Sequence, residues 1–135
     1  MTKDRAPHKG FDFRKLGRSF KAAASGFGQA LRTEQNMKFH LIMAILVVGA
    51  GIWLEVSGGE WMALVVCIMA VMVVELLNTA IEYLADVVRD ELKLNYGATK
   101  FPRDMAAAAV LLAAMTAAAI GIAILLPHFI IKMGW

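Results

Sequence analysis

Charge is scarce in this chain: Asp, Glu, Lys and Arg make up 19% of its 135 residues, while hydrophobic residues make up 59%. So little polar surface excludes a water-soluble domain and leaves a small polytopic membrane protein. Cysteine is reduced to Cys67, alone in an apolar run, so an intrachain disulfide is excluded and the thiol reads as a packing residue. No GxxxxGK[ST] phosphate loop occurs. Gly26-Phe27-Gly28-Gln29-Ala30-Leu31 is at best a broken GxGxxG with no strand before it, and reads as helix packing. A cleaved signal peptide is not expected, because the first apolar run starts near Phe39 behind a long basic segment and lacks a small-residue cleavage site. Apart from an alanine bias near the C-terminus, no repeat or low-complexity tract stands out.

What is present is three long apolar stretches. They predict spans over about 39–56, 61–88 and 103–131, each near the roughly 20 residues that cross a core of about 30 Å. One membrane domain over 13–135 follows, behind a basic N-terminus, 1–12, that is polar and expected to be disordered. Positive charge sets the expected orientation. Nine of the 14 basic residues precede the first span: Lys3, Arg5, Lys9, Arg14, Lys15, Arg18, Lys21, Arg32 and Lys38. None lies between Val56 and Glu60, whereas Arg89, Lys93, Lys100 and Arg103 follow the second span and only Lys132 follows the third. The bias predicts a cytoplasmic N-terminus, three crossings and an external C-terminus. Trp53, Trp61 and Trp135 then fall near the outer interface, where indoles prefer to sit. The formal net charge of +3 is concentrated on the inner side, which favours anionic lipid headgroups and makes nucleic acid an unlikely partner.

Ahead of the first span, Phe13, Leu16, Phe20, Ala24, Phe27 and Leu31 recur at helical spacing. Arg14, Lys15, Arg18, Lys21 and Arg32 lie largely elsewhere around that helix, predicting an amphipathic surface helix over 13–36 in the inner interface. Gly17, Gly26 and Gly28 weaken it in isolation, so tertiary packing or a close backbone approach is expected there. Between the second and third spans, Asp90 to Arg103 is the only long internal polar stretch. Asn95 and Gly97 are its turn formers, and Pro102 suits the first turn of the third helix. That helix is rich in Ala and Gly, which permit close helix approach in lipid.

The costly residues are acidic and lie on the second span. Glu75, Asn78, Glu82 and Asp86 share one stripe of a helix at 100° per residue. A carboxylate at the hydrocarbon level costs roughly 2.5–3.5 kcal/mol or more, so such a stripe normally faces protein, a cation or a cavity. Counting inward from Trp61, Glu75 lies about 21 Å deep, some way short of the inner edge, while Glu82 and Asp86 reach the cytoplasmic surface. Glu34, Arg103 and Asp104 should arrive at that same level.

A site at this depth can join a water-soluble reagent to a hydroxyl held at the headgroup boundary. Glu34 and Glu82 can hold Mg²⁺, a hard cation that usually keeps waters and substrate phosphates in its shell. A buried Glu75 can act as general base towards a lipid alcohol, and nearby Lys and Arg can neutralise phosphate oxygens. From the residues alone, phosphoryl transfer, polar helix association, and proton or cation transport all stay open. His40 reads either as an interfacial packing residue or as a substrate contact. His128, beside Pro127, is expected on the far side from the site. Met37 reads as ordinary apolar packing, and the basic helix either anchors the protein or meets nucleotide phosphates through Arg14, Lys15, Arg18 and Lys21.

The string Glu75-Leu76-Leu77-Asn78-Thr79-Ala80-Ile81-Glu82, with Asp86 one turn later, closely resembles the signature of the small prokaryotic diacylglycerol kinase family. Thr33-Glu34-Gln35-Asn36-Met37-Lys38-Phe39-His40 looks like a segment of the family's undecaprenol kinase branch, and Arg103-Asp104-Met105-Ala106-Ala107-Ala108-Ala109-Val110 like the start of its third helix. With Phe20-Lys21-Ala22-Ala23 and Gly26, the resemblance runs from about Phe13 to the C-terminus and leaves out the basic start. It implies an all-α membrane homotrimer, each subunit with a surface helix and three crossings, and composite sites at the inner interface of a bacterial cytoplasmic membrane. It further implies transfer of the γ-phosphate of MgATP to a lipid alcohol, undecaprenol ahead of diacylglycerol. A non-enzymatic polar-packed assembly or ion channel is the rival.

By the same resemblance, Glu75 matches the catalytic base and Asn78 its positioning neighbour. Glu34 and Glu82 match the carboxylates that hold the metal–nucleotide, and Asp86 and Asp104 match polar active-site acids. Arg103 stands where the family commonly has lysine, which keeps the charge and alters the geometry. The loop after the second helix is a few residues longer than in close relatives, which makes Lys100 a rival nucleotide clamp. Lys15 and Arg18 are the candidates from the surface helix.

Overall fold

The computed structural model describes residues 12–134. The expected disorder before Asp12 and the interfacial placement of Trp135 lie outside the described residues. Among them the chain is all-helical: α1 Phe13–Thr33, α2 Gln35–Leu54, α3 Gly58–Glu91 and α4 Tyr96–Lys132. Three of these, α2, α3 and α4, are long and apolar enough to cross a membrane.

Each boundary has a local cause. Asp12 caps α1 by accepting from the backbone N–H groups of Arg14 and Lys15 at 2.9 and 3.2 Å, satisfying donors that a helix start leaves orphaned. The predicted surface helix stops short of residue 36. Glu34 turns extended, with φ −94° and ψ 124°, and that single residue separates α1 from α2. Glu55 ends α2 in the left-handed region at φ 58°, and its N–H reaches back to the carbonyls of Gly51 and Ile52. A reciprocal capping box then starts α3: Glu60 accepts from the Ser57 N–H at 2.7 Å, and Ser57 Oγ accepts from the Glu60 N–H at 3.4 Å.

The polar stretch from Asp90 to Arg103 is the main correction to the sequence reading. Only the short link between Glu91 and Tyr96 is non-helical, because Asn95 accepts from the Ala98 N–H at 3.1 Å and starts α4 well before the third span was expected. Pro102 therefore sits inside α4 and not in its first turn. The glycines of α1 also differ from expectation: a Cβ added at Gly17, Gly26 or Gly28 would meet nothing within 4 Å, so no close backbone approach occurs there among the described residues.

At 1.5 Å per residue the 34 residues of α3 extend about 51 Å, well beyond a hydrocarbon core of about 30 Å. Helices α3 and α4 make the most extensive interhelical contact, and α2 packs more lightly against both. At one end of the bundle, Met37, 0% exposed, packs with Ala30 and Met72, fastening the α1–α2 junction onto α3. At the opposite end, Leu54, Val56 and Leu64 form a second core with Trp61 beside them. His128 meets Glu60 there, Nε2 to Oε2 at 3.0 Å, far along the chain from the acidic stripe as expected. Lys132 bonds the Trp53 carbonyl and pairs with Glu55 at 3.2 Å, closing the α2 end onto α4.

Candidate functional site

Glu75 is 1% exposed and Asn78 4% exposed, on the face of α3 turned towards the α1–α2 junction. Its neighbours explain the placement. Met72, one turn earlier, belongs to the Met37 core, and Leu76 packs against that core from the other side. The break at Glu34 brings its carboxylate close enough to act through space on Glu75, and Glu82 does so along α3. Asn36, in the first turn of α2, presents its side chain to the Glu75 carboxylate as a hydrogen-bond donor.

Asn78 Nδ2 donates to Glu82 Oε1 at 3.0 Å, a bond across one helical turn that fixes the amide's orientation. Two buried acceptors then stand without partners among the described residues: Glu75 Oε2 and Asn78 Oδ1. Buried polar atoms are normally satisfied, so two orphaned acceptors a turn apart mark a place prepared for donors supplied from outside the chain.

Towards the C-terminal end of α3 and the start of α4 a second group gathers. Arg103 Nη2 donates to Asp86 Oδ1 at 2.6 Å, and Arg89 Nη1 meets the same oxygen at 2.7 Å. The Arg103 guanidinium lies over the Tyr96 ring, 5.5 Å from its centroid. Lys100 pairs with Asp104 one turn along α4, in an exposed contact. Lys15 and Arg18 are exposed on α1, and no interaction among the described residues ties them to either group.

The candidates thus fall into two clusters. Glu34, Glu75, Asn78 and Glu82 form the deeper one, while Asp86, Arg103, Lys100 and Asp104 form the outer one with Arg89 and Tyr96. Asn36 had no role in the sequence reading beyond its place in a matched string. A polar residue at the head of an apolar helix was the available signal, and only the Glu34 bend turns it towards Glu75. From Met72 towards Leu54, an apolar cleft of about 820 Å³ opens between α2, α3 and α4, with Phe39, His40, Cys67 and Trp53 among its lining residues. His40 stacks edge-on against Phe39 in its wall, ring centroids 5.7 Å apart.

A family profile described as prokaryotic diacylglycerol kinase matches residues 21–125. The chain is 37% identical to an undecaprenol kinase of Bacillus subtilis over 82% of its own length and 87% of that protein. The chain belongs to the prokaryotic diacylglycerol kinase family. A diacylglycerol kinase of Synechocystis is also similar, at 35% identity over 85% of this chain and 65% of the relative. Membership in the diacylglycerol kinase family makes the chain a phosphotransferase with an alcohol acceptor, held in a membrane by several crossings. The matched span takes in every residue of the two clusters, from Glu34 to Asp104.

Proposed function

We propose that this protein is a lipid kinase that transfers the γ-phosphate of MgATP to a membrane lipid alcohol, with undecaprenol the favoured acceptor and diacylglycerol the next. The observation that carries the reading is the buried, unpartnered Glu75 Oε2 one turn from the unpartnered Asn78 Oδ1, on the helix whose preceding turn, at Met72, lines an apolar cleft. A lipid hydroxyl supplies the missing donor, and its chain has an apolar path along α2, α3 and α4. Undecaprenol ranks first on the 37% identity to a protein of that activity and on the Thr33–His40 string.

In this scheme Glu75 takes the proton of the lipid hydroxyl as its oxygen forms the bond to the γ-phosphorus and the bond to the ADP oxygen breaks. Asn36 and Asn78 hold the Glu75 region in place. Glu34 and Glu82 are the metal-holding pair. Mg²⁺ commonly takes one or two carboxylates and completes its shell with water and phosphate. Glu34 and Glu82 both act through space on Glu75, and a cation held by the pair would offset those like charges. When bound, Mg²⁺ would neutralise charge on the transferring phosphate. Lys100 and Arg103 supply fixed positive charge at the nucleotide end, with Asp86 and Asp104 as polar acids and Lys15 and Arg18 as reserves on α1.

The reading also places the protein in the bacterial cytoplasmic membrane with its N-terminus inside and its C-terminus outside. It takes α1 as an amphipathic helix on the inner surface, with Phe13, Phe20 and Phe27 exposed for lipid, and takes the working form as a homotrimer. Family membership weighs against a non-enzymatic assembly or ion channel. The test is purified protein with Mg²⁺, labelled ATP and each alcohol in parallel, alongside Glu75→Gln. Label should enter undecaprenol faster than diacylglycerol and vanish in the variant; near-normal turnover in Glu75→Gln would refute the assignment.

A further inference from the structure

The apolar cleft between α2, α3 and α4 has two unlike ends. Near one end Met72 lines it, one turn along α3 from Glu75, and Phe39 and His40 of α2 line it at the same level. None of its lining residues is Asp, Glu, Lys or Arg, so a hydrocarbon chain laid along it desolvates no charge. At the other end stand Trp53 and Phe129, their ring centroids 6.1 Å apart and their planes tilted by 53°. Beyond the rings the chemistry changes: Lys132 bonds the Trp53 carbonyl and pairs with Glu55 at 3.2 Å, while His128 meets Glu60 at 3.0 Å. A hydrocarbon chain that continued past the rings would have to displace the partners of these polar groups, which it cannot replace. The cleft therefore ends there. His128, Phe129 and Lys132 lie after residue 125, where the family match stops, so this end is built partly from residues outside the matched span.

Resting on the lipid-kinase reading above, we propose that the cleft holds only the hydroxyl-proximal part of a prenyl chain, that Trp53 and Phe129 set how much of the chain is recognised, and that the remainder turns aside into the surrounding lipid. From Phe39 to Trp53 the cleft runs about 21 Å at 1.5 Å per residue. Three bonds of an extended chain cover about 3.4 Å, so the four chain bonds of an isoprene unit cover about 4.5 Å and the cleft takes about four to five units. Undecaprenol is much longer than that. The orphaned Glu75 Oε2 and Asn78 Oδ1 beyond the Met72 end argue for this occupant, because the hydroxyl and the chain of one molecule fill both the polar and the apolar vacancy. Lipid tails are as apolar as the cleft walls, so a chain entering from the bilayer gains packing and little hydrophobic transfer. That gain grows with each unit that meets the walls and stops once the cleft is full. Room for it exists midway, where Gly121 lines the cleft and a Cβ built on it would meet nothing within 4 Å.

The experiment measures kcat/KM for farnesol, geranylgeraniol, solanesol and undecaprenol, prenols of increasing length, with each alcohol expressed as its mole fraction in detergent micelles. The full chain is compared with Phe129→Ala and Gly121→Leu, and the melting temperature of each is recorded. In the unaltered protein kcat/KM should rise severalfold from farnesol to geranylgeraniol and then stay within about twofold up to undecaprenol, as expected for a packing gain that saturates. Phe129→Ala removes part of the end wall and should move the plateau to solanesol. Gly121→Leu places a side chain in the unfilled space and should abolish the gain beyond farnesol, leaving the four alcohols within about threefold of one another. Because the added side chain meets open space on a helix, Gly121→Leu should keep its melting temperature, and it decides the matter even where Phe129→Ala does not fold. A steady rise in kcat/KM through undecaprenol, or a length profile that Gly121→Leu leaves unchanged, overturns the proposal and assigns the cleft to bulk lipid or to a neighbouring copy of the chain. Transfer to no alcohol, or to diacylglycerol alone, sinks the reading on which the proposal rests, whereas transfer to prenols with the wrong length profile sinks only the role of the cleft.

Discussion

Asn78 and Glu82 are joined by a hydrogen bond from Nδ2 to Oε1 at 3.0 Å, one helical turn apart on α3, so the orientation of a proposed metal-holding carboxylate is set by the neighbour of the proposed base. The other atom of that amide, Asn78 Oδ1, is buried and has no partner among the described residues.

Removing that bond should therefore loosen Glu82 more than it disturbs the fold. Asn78→Ala is expected to weaken activation by Mg²⁺ about 10- to 100-fold, the usual effect of deleting a residue that orients a metal ligand. Titrating activity against Mg²⁺ checks it. An unchanged Mg²⁺ requirement would detach Asn78 from Glu82 function.

Helices α2 and α3 touch most closely where Gly51 faces Trp61. A Cβ built on Gly51 would lie 2.9 Å from the Trp61 ring, closer than a real contact allows. Gly51→Ala should lower stability by about 1–3 kcal/mol, the range for overpacking, with the loss read from thermal denaturation in detergent. Combining it with Trp61→Phe should recover part of that loss, because the smaller ring vacates the contested space. Failure of the second substitution to recover any stability would show that the clash is not with Trp61.

The link between α2 and α3 carries a pH-dependent element. The Glu60 carboxyl is held below its usual value by the Ser57 backbone N–H first and then by the Ser57 side chain, which outweigh the opposing effect of burial, with the His128 charge adding least. A depressed carboxylate stabilises the fold above its unfolded value near 4.5, and that contribution is lost as pH falls through the lower folded value. The melting temperature should thus drop on acidification below about pH 4.5, and Glu60→Gln should flatten that drop. Ser57→Ala, which removes the cap's acceptor, should cost about 1 kcal/mol at neutral pH. An acid limb of equal steepness in Glu60→Gln would assign it to other carboxylates.

Periodicity and length carried a good deal of this architecture. Three apolar stretches became α2, α3 and α4, and the stripe of Glu75, Asn78, Glu82 and Asp86 lies on one helix as its spacing required. Helix ends were read less well, for local reasons: the Glu34 bend, the Ser57 capping box and the Asn95 cap depend on a few backbone bonds that apolar periodicity does not register. Asn95 is the clearest case. Read as a turn former, it is the residue that starts α4, and it places Lys100 on a helix and not in a loop.

The sequence by itself determined the membrane-crossing helices and the identity of the acidic stripe, because hydrophobic length and a 3.6-residue period are properties of single segments. It also carried the family resemblance, since the matched strings are contiguous. Only tertiary structure decided which partners each polar group acquired. Asn36 reaches Glu75 because Met37 is buried against Met72, and Arg103 reaches Asp86, 17 residues away, because α3 and α4 pack side by side. Those pairings arise between segments, where burial and close packing, and not local periodicity, select the neighbours.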